Sequence, residues 1–190
     1  MKVLKPTLTT VVLACFSAIA VAQSLYPIEV DREWGFIDKS GNIVVEPQYD
    51  RTYDFVNGMA CYKSGGHYGF IDSDGRVVVS ALYDRVTDFY EGLAAVKSGD
   101  DWSYIDESGA TKFTIECEYA YQFSGSLARV QKDKNIGFIN KTGEWEIDAT
   151  FDGGYDFSEG LARASKGGKW GFIDEDGKWV TDTSIKRAKR

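Results

Sequence analysis

Apolar and polar residues alternate along most of the chain, in short stretches separated by Gly, Asp and Ser. Trp34-Gly-Phe-Ile-Asp38 is one such stretch, and residues 43–47 and 59–63 are two more. Successive side chains on a strand point to opposite faces, so a period of two predicts strands. A helix would need apolar residues three and four apart. Between the first two stretches, Asp38-Lys-Ser-Gly41 predicts a tight turn, closed by the Asp side chain, with Gly supplying a positive φ. Ser64-Gly-Gly-His67 predicts a second turn. Residues 49–58 keep no alternation and are expected to form a crossover between units. Each unit thus reads as three antiparallel strands, and the chain as all-β.

The same pattern returns at a fixed interval. Trp34-Gly-Phe-Ile-Asp38 recurs as Tyr68-Gly-Phe-Ile-Asp72, Trp102-Ser-Tyr-Ile-Asp106, Ile136-Gly-Phe-Ile-Asn140 and Trp170-Gly-Phe-Ile-Asp174, 34 residues apart each time. Gly41, Gly75, Gly109, Gly143 and Gly177 follow each motif, and Phe55, Phe89, Phe123 and Phe157 mark each crossover. Self-similarity at a fixed period means a repeat architecture. Helical repeats share this period, but several Gly per unit and strict alternation exclude a helix here. Leu25-Tyr-Pro-Ile-Glu29 aligns with the strand before each motif, and Lys178-Trp-Val-Thr181 with the strand after it. The chain therefore holds five complete three-stranded modules. Termini that complete whole modules point to an open, solenoid-like array. The alternative is a five-bladed propeller, favoured by the lack of an obvious polar cap on the first module.

The Trp-Gly-Phe-Ile-Asp core, the Gly three residues on and the Gly-Leu-Ala strand, as at Gly92-Leu-Ala94, resemble the bacterial WG-repeat family over residues 25–182. The resemblance implies a tandem β-repeat fold and no particular chemistry. The chain departs from the pattern at Ser103, at Ile136 and around Cys117, so those units are expected to be the least regular.

Ahead of the repeats, Lys2 and Lys5 precede an apolar run ending in Ala20-Val-Ala22. That pattern predicts a cleaved secretory signal at residues 1–22, with Gln23 the first mature residue. A lipoprotein signal at Cys15 is the rival, but Leu13 and the short preceding apolar stretch fit it poorly. The run is shorter than the about 20 residues of a membrane span. The repeat domain is then 23–183 and the basic tail 184–190, and the location periplasmic or secreted, with no transmembrane span after cleavage. Loss of the two lysines takes the net charge from −7 to −9. An acidic chain excludes a nucleic-acid partner bound by phosphate neutralisation. One His and three Cys exclude Cys/His zinc clusters and a multi-disulfide scaffold. Cys61 and Cys117 fall at different repeat positions and are expected to stay unpaired.

No nucleophile elbow, phosphate loop, dinucleotide fingerprint or metalloprotease helix occurs, so neither catalysis nor a cofactor is expected. Asp72-Ser-Asp-Gly75 and Asp174-Glu-Asp-Gly177 lack the further acids of a calcium loop and read as turns. Of the 27 aromatic residues, 19 occupy five repeated positions and are assigned to packing. Tyr26, Tyr62, Tyr90, Phe113, Tyr119, Trp145 and Trp179 are not demanded by the repeat and are better binding candidates. One strand position reads Cys61, Ala95, Arg129, Arg163 along the modules, and Lys132 and Lys166 lie just beyond the two arginines. These four cations, with Trp145 and Trp179, form a candidate basic stripe on an acidic protein. The expected function is a protein–protein interaction module. The alternative is a cell-wall or glycan binder, because Trp-Gly-aromatic repeats also resemble choline- and carbohydrate-binding arrays.

Overall fold

The computed structural model describes residues 25–181. The expected signal segment and basic tail lie outside the described residues, as do residues 23, 24, 182 and 183 of the expected repeat domain. Five antiparallel sheets follow one another along the chain. The first contains β1 (Tyr26–Val30), β2 (Glu33–Ile37) and β3 (Ile43–Tyr49). The second contains β4 (Arg51–Val56), β5 (Met59–Ser64), β6 (His67–Asp72) and β7 (Val77–Tyr83). The third contains β8 (Arg85–Val86), β9 (Leu93–Ser98), β10 (Asp101–Asp106) and β11 (Thr111–Ile115). The fourth contains β12 (Tyr119–Ser124), β13 (Leu127–Lys132), β14 (Asn135–Ile139) and β15 (Trp145–Phe151). The fifth contains β16 (Gly153–Gly154), β17 (Ala162–Lys166) and β18 (Lys169–Ile173), with Trp179 bridging to Ile173. Every sheet is a simple meander in chain order.

The crossover of the sequence reading is itself a strand. Residues 51–56 pair with β5 as the first strand of the second sheet, so a complete module has four strands and not three. The alternation is hidden by a bulge: Thr52 pairs with Tyr62 but Phe55 with Ala60, so three steps on one strand face two on the other. Pairing gives this backbone hydrogen-bond partners, which burial of Phe55 and its equivalents would otherwise remove.

The array is held together between sheets. Four buried clusters occur, one at each junction of consecutive sheets, and among the described residues no such cluster joins the first sheet to the fifth. Each junction is centred on one aromatic pair. The motif Phe36, Phe70, Tyr104 or Phe138 meets the crossover Phe55, Phe89, Phe123 or Phe157 of the next module edge to face, at 4.8–5.2 Å. Among the described residues Phe172 meets no crossover Phe, and it is only half-buried. Leu161 at the same end is 37% exposed where its equivalent Leu127 is 6%. Among the described residues, nothing covers the module-to-module face of the fifth sheet.

The signature residues have separate mechanical tasks. In each turn between second and third strands of the motif, Asp38, Asp72, Asp106, Asn140 and Asp174 accept two backbone amides through Oδ1. Gly75 closes its turn at φ +79°, and a Cβ there would stand 2.5 Å from Val45 Cγ2 of the preceding module. The motif glycine is demanded by another contact: a Cβ on Gly69 would lie 2.4 Å from the Val79 carbonyl oxygen, because β7 bulges across it. The third module departs from the pattern here. Trp102 to Tyr104 pairs with Ile115 to Phe113 in unbroken register, so Ser103 has room and its hydroxyl meets Thr114 Oγ1 at 2.9 Å. The acids after the last strand of each sheet, β3, β7, β11 and β15, cap the turn before the motif strand of the next: Asp50, Asp84 and Asp152 accept from Gly66, Gly99 and Gly168 N–H, and Glu118 from Asp133.

Candidate binding groove

Arg129 and Arg163 project from the middle strands of the fourth and fifth sheets. Arg129 is 17% exposed and committed within the fold. Its Nε donates to Asp156 Oδ1 at 2.8 Å and a terminal nitrogen donates to the Gly154 carbonyl at 2.9 Å. Its guanidinium lies 3.7 Å from the Tyr121 ring centroid. Arg163 sits over the Tyr155 and Trp170 rings, at 4.7 and 5.2 Å, with Nε buried and unpartnered. Lys132 approaches Glu116 at 3.9 Å, and Lys166 lies 5.9 Å from the Phe151 ring. Trp145 and Trp179 pack into the clusters shared with the preceding sheets. The structure therefore puts the two arginines at module faces with aromatic partners, and the two tryptophans half-buried against the inter-sheet clusters.

Of the other aromatics outside the repeat, Tyr62 is buried and Phe113 stacks on Tyr104 at 4.9 Å. Tyr90 is half-buried, and Tyr26 is exposed on the first sheet. Tyr119 is 42% exposed and lines a groove between the sheets.

That groove has a volume of about 670 Å³ and runs across the first strands of three modules. Tyr53 comes from β4, Arg85 and Val86 from β8, and Tyr119 and Tyr121 from β12, with Tyr68 and Trp102 entering from the motif strands β6 and β10. A second hollow of about 420 Å³ shares Arg85, Trp102 and Tyr119 and extends it. The rings are held in place: Trp102 Nε1 donates to the Glu118 carbonyl at 3.1 Å, and Arg85 lies over the Tyr119 ring at 5.7 Å. Asp88 lines the same groove. Among the described residues no donor or cation is paired with its carboxylate, and burial pushes its pKa up from the ordinary value.

Cys61 forms the floor and is unpaired, as is Cys117. Cys61 is the buried one of the two, whereas Cys117 is only half-buried. Burial, with the Asp88 charge adding to it, pushes the Cys61 thiol up to about 12. It is therefore a thiol and not a thiolate at neutral pH, and a poor nucleophile. His67 is exposed at the start of β6, 3.5 Å from Asp84. Among the described residues no group of three His, Cys, Asp or Glu side chains could hold a metal ion, and no helix is long and apolar enough to cross a membrane.

The groove residues Tyr53, Tyr68, Trp102 and Tyr121 occupy repeat positions assigned to packing on sequence grounds. Tyr53 is exposed and Tyr68 half-buried, so these two rings face the groove, whereas Trp102 is a buried core residue at its edge and the Tyr121 ring carries the Arg129 guanidinium. The signal was present in the Cys61, Ala95, Arg129, Arg163 column. Its Cys61 lines the cavity, and its arginines lie over the rings of the fourth and fifth modules.

The comparisons agree with this architecture. A eukaryotic initiation factor superposes with TM-score 0.58 at 11% identity, over 88% of this chain and 53% of that one. Hsv2 of Kluyveromyces lactis superposes with TM-score 0.51 at 11% identity, over 84% of this chain and 59% of that one. Both similarities concern the propeller-like arrangement of sheets, and the chain spans less than two thirds of either structure. No functionally curated protein matches in sequence. The model of the WG containing repeat matches residues 34–66, 68–101, 102–135, 136–170 and 170–183. With five units in register over most of its length, the chain belongs to the WG containing repeat family.

Proposed function

We propose that this chain is an exported, non-catalytic interaction module that holds a segment of a protein partner in the groove across β4, β8 and β12, in the periplasm or outside the cell. The observation that carries the reading is the groove lining. Tyr, Trp and Arg are the side chains that dominate protein–protein hot spots, because they bury large area with few rotatable bonds and keep a polar end. The export signal read at residues 1–22 supports the location. Co-purification of the mature chain from its native envelope fraction tests the function. A stoichiometric protein partner is expected, and Tyr53→Ala with Tyr119→Ala, the two exposed rings of the groove, should lose it while the five-sheet fold persists by circular dichroism. An undiminished partner yield with that variant excludes the groove.

A second reading, a cell-wall or glycan binder, is favoured by the exposed Tyr53 and Tyr119 rings, whose faces could stack on sugars. Pelleting with purified cell-wall polymer, lost in the same variant, would select it over the first.

A further inference from the structure

The fourth and fifth modules show what fits between two neighbouring first strands. At their junction, the Arg129 guanidinium lies over Tyr121 of its own module and bonds to Asp156 of the next. In the fifth module, Arg163 lies over Tyr155 and Trp170, two rings 5.6 Å apart at 46°. Two repeats before Arg129, the corresponding residue is Cys61. Its own-module rings, Tyr53 and Tyr68, are 6.4 Å apart at 41°, close to the geometry that receives Arg163. The acid of the next module, equivalent to Asp156, is Asp88, and it is unpaired. A ring pair and a carboxylate are thus in place, and the arginine that would join them is replaced by a side chain too short to reach. The space left over is part of the 670 Å³ groove. Arg51 and Lys63 lie 5.4 and 5.2 Å from the centroids of the Tyr53 and Tyr68 rings, but neither is paired with Asp88.

We propose that this gap between the second and third sheets is a receptor for the guanidinium of an arginine side chain on a protein partner, held by the Tyr53 and Tyr68 rings and by the Asp88 carboxylate. The inference rests on the reading of the groove as a protein-binding site and names the group it selects. Guanidinium is favoured over ammonium because its plane stacks on a ring while its edge donates to the acid, as Arg129 does within this chain.

The test is titration of the mature chain with N-acetyl-arginine methylamide, followed by amide shifts in two-dimensional NMR, with N-acetyl-norleucine methylamide as the uncharged control. Saturable shifts are expected around residues 53, 61, 68 and 88 with the arginine probe alone. Asp88→Asn should weaken binding at least about tenfold, the scale of one charge-assisted hydrogen bond. Cys61→Arg, which supplies the missing side chain internally, should abolish probe binding and raise Tm. Equal binding of both probes, absence of saturable shifts, or full affinity in Asp88→Asn would overturn the inference. Partner capture that survives Asp88→Asn refutes the arginine receptor alone. Arginine binding without any captured partner refutes the protein-binding reading alone.

Discussion

Removal of one ring from the inter-module ladder should cost very different amounts at two positions that the repeat makes identical. Phe70 is 1% exposed and meets Phe89 edge to face at 4.8 Å, among Met59, Val79 and Ile105 of the same cluster. A buried aromatic withdraws at least about 150 Å² from water, which at about 25 cal/mol/Å² is roughly 4 kcal/mol. Loss of the edge-to-face contact adds to this and partial collapse of the cavity subtracts, so Phe70→Ala should cost about 3–5 kcal/mol. Phe172 is the same motif residue, but among the described residues it meets no crossover Phe, and it is half-buried. Half the area and no ring partner put Phe172→Ala at about 1–2 kcal/mol. Urea denaturation followed by tryptophan fluorescence and far-UV circular dichroism measures both. Coincident probes and an unchanged m-value must hold, since a weakened junction in a repeat array can unfold on its own. Equal losses for the two variants would refute the open fifth face. A loss below about 1 kcal/mol for Phe70→Ala would refute the ladder as the source of cohesion.

Other outcomes follow from single contacts. Gly75→Val should destabilise by more than about 1 kcal/mol, because it meets both a positive φ and Val45. Gly66→Ala should be milder in thermal melts: a Cβ there meets open space, and Lys134 holds φ +66° at the same place in the fourth module. Arg129→Ala should cost about 1–3 kcal/mol by urea denaturation, since it strands Asp156 and the Gly154 carbonyl without their donor. Asp88→Asn should stabilise the chain at neutral pH. Burial raises the folded pKa of Asp88 above its unfolded value, so ionisation penalises the folded state as pH rises through that raised pKa. The gain over the natural chain should therefore shrink as pH falls below the ordinary carboxylate range, and a pH-independent gain would refute burial as its cause. Intact mass of the native protein should begin at Gln23; a retained Met1 or a lipidated Cys15 would refute the signal reading.

The number of modules, their strand order from the first motif strand onward and the identity of both turns were legible in the residues, because each is decided locally. Alternation sets a strand, Asp and Gly set a turn, and a fixed 34-residue interval multiplies them. The fourth strand was not legible, since the bulge between Thr52 and Phe55 breaks the period that would announce it. The task of Asp50, Asp84 and Asp152 was hidden for a similar reason: each caps a turn 15 or 16 residues further on. For the groove, sequence showed a column running from Cys61 to Arg163 but could not say which way its side chains face. Packing of one sheet on the next decides that. It turns both arginines onto rings, and Arg129 onto an acid as well, and leaves a hollow beside the corresponding rings and Asp88 where the column is short. Strands and turns depend on neighbours a few residues away, whereas a cavity depends on the difference in side-chain length between modules that meet only in the folded array.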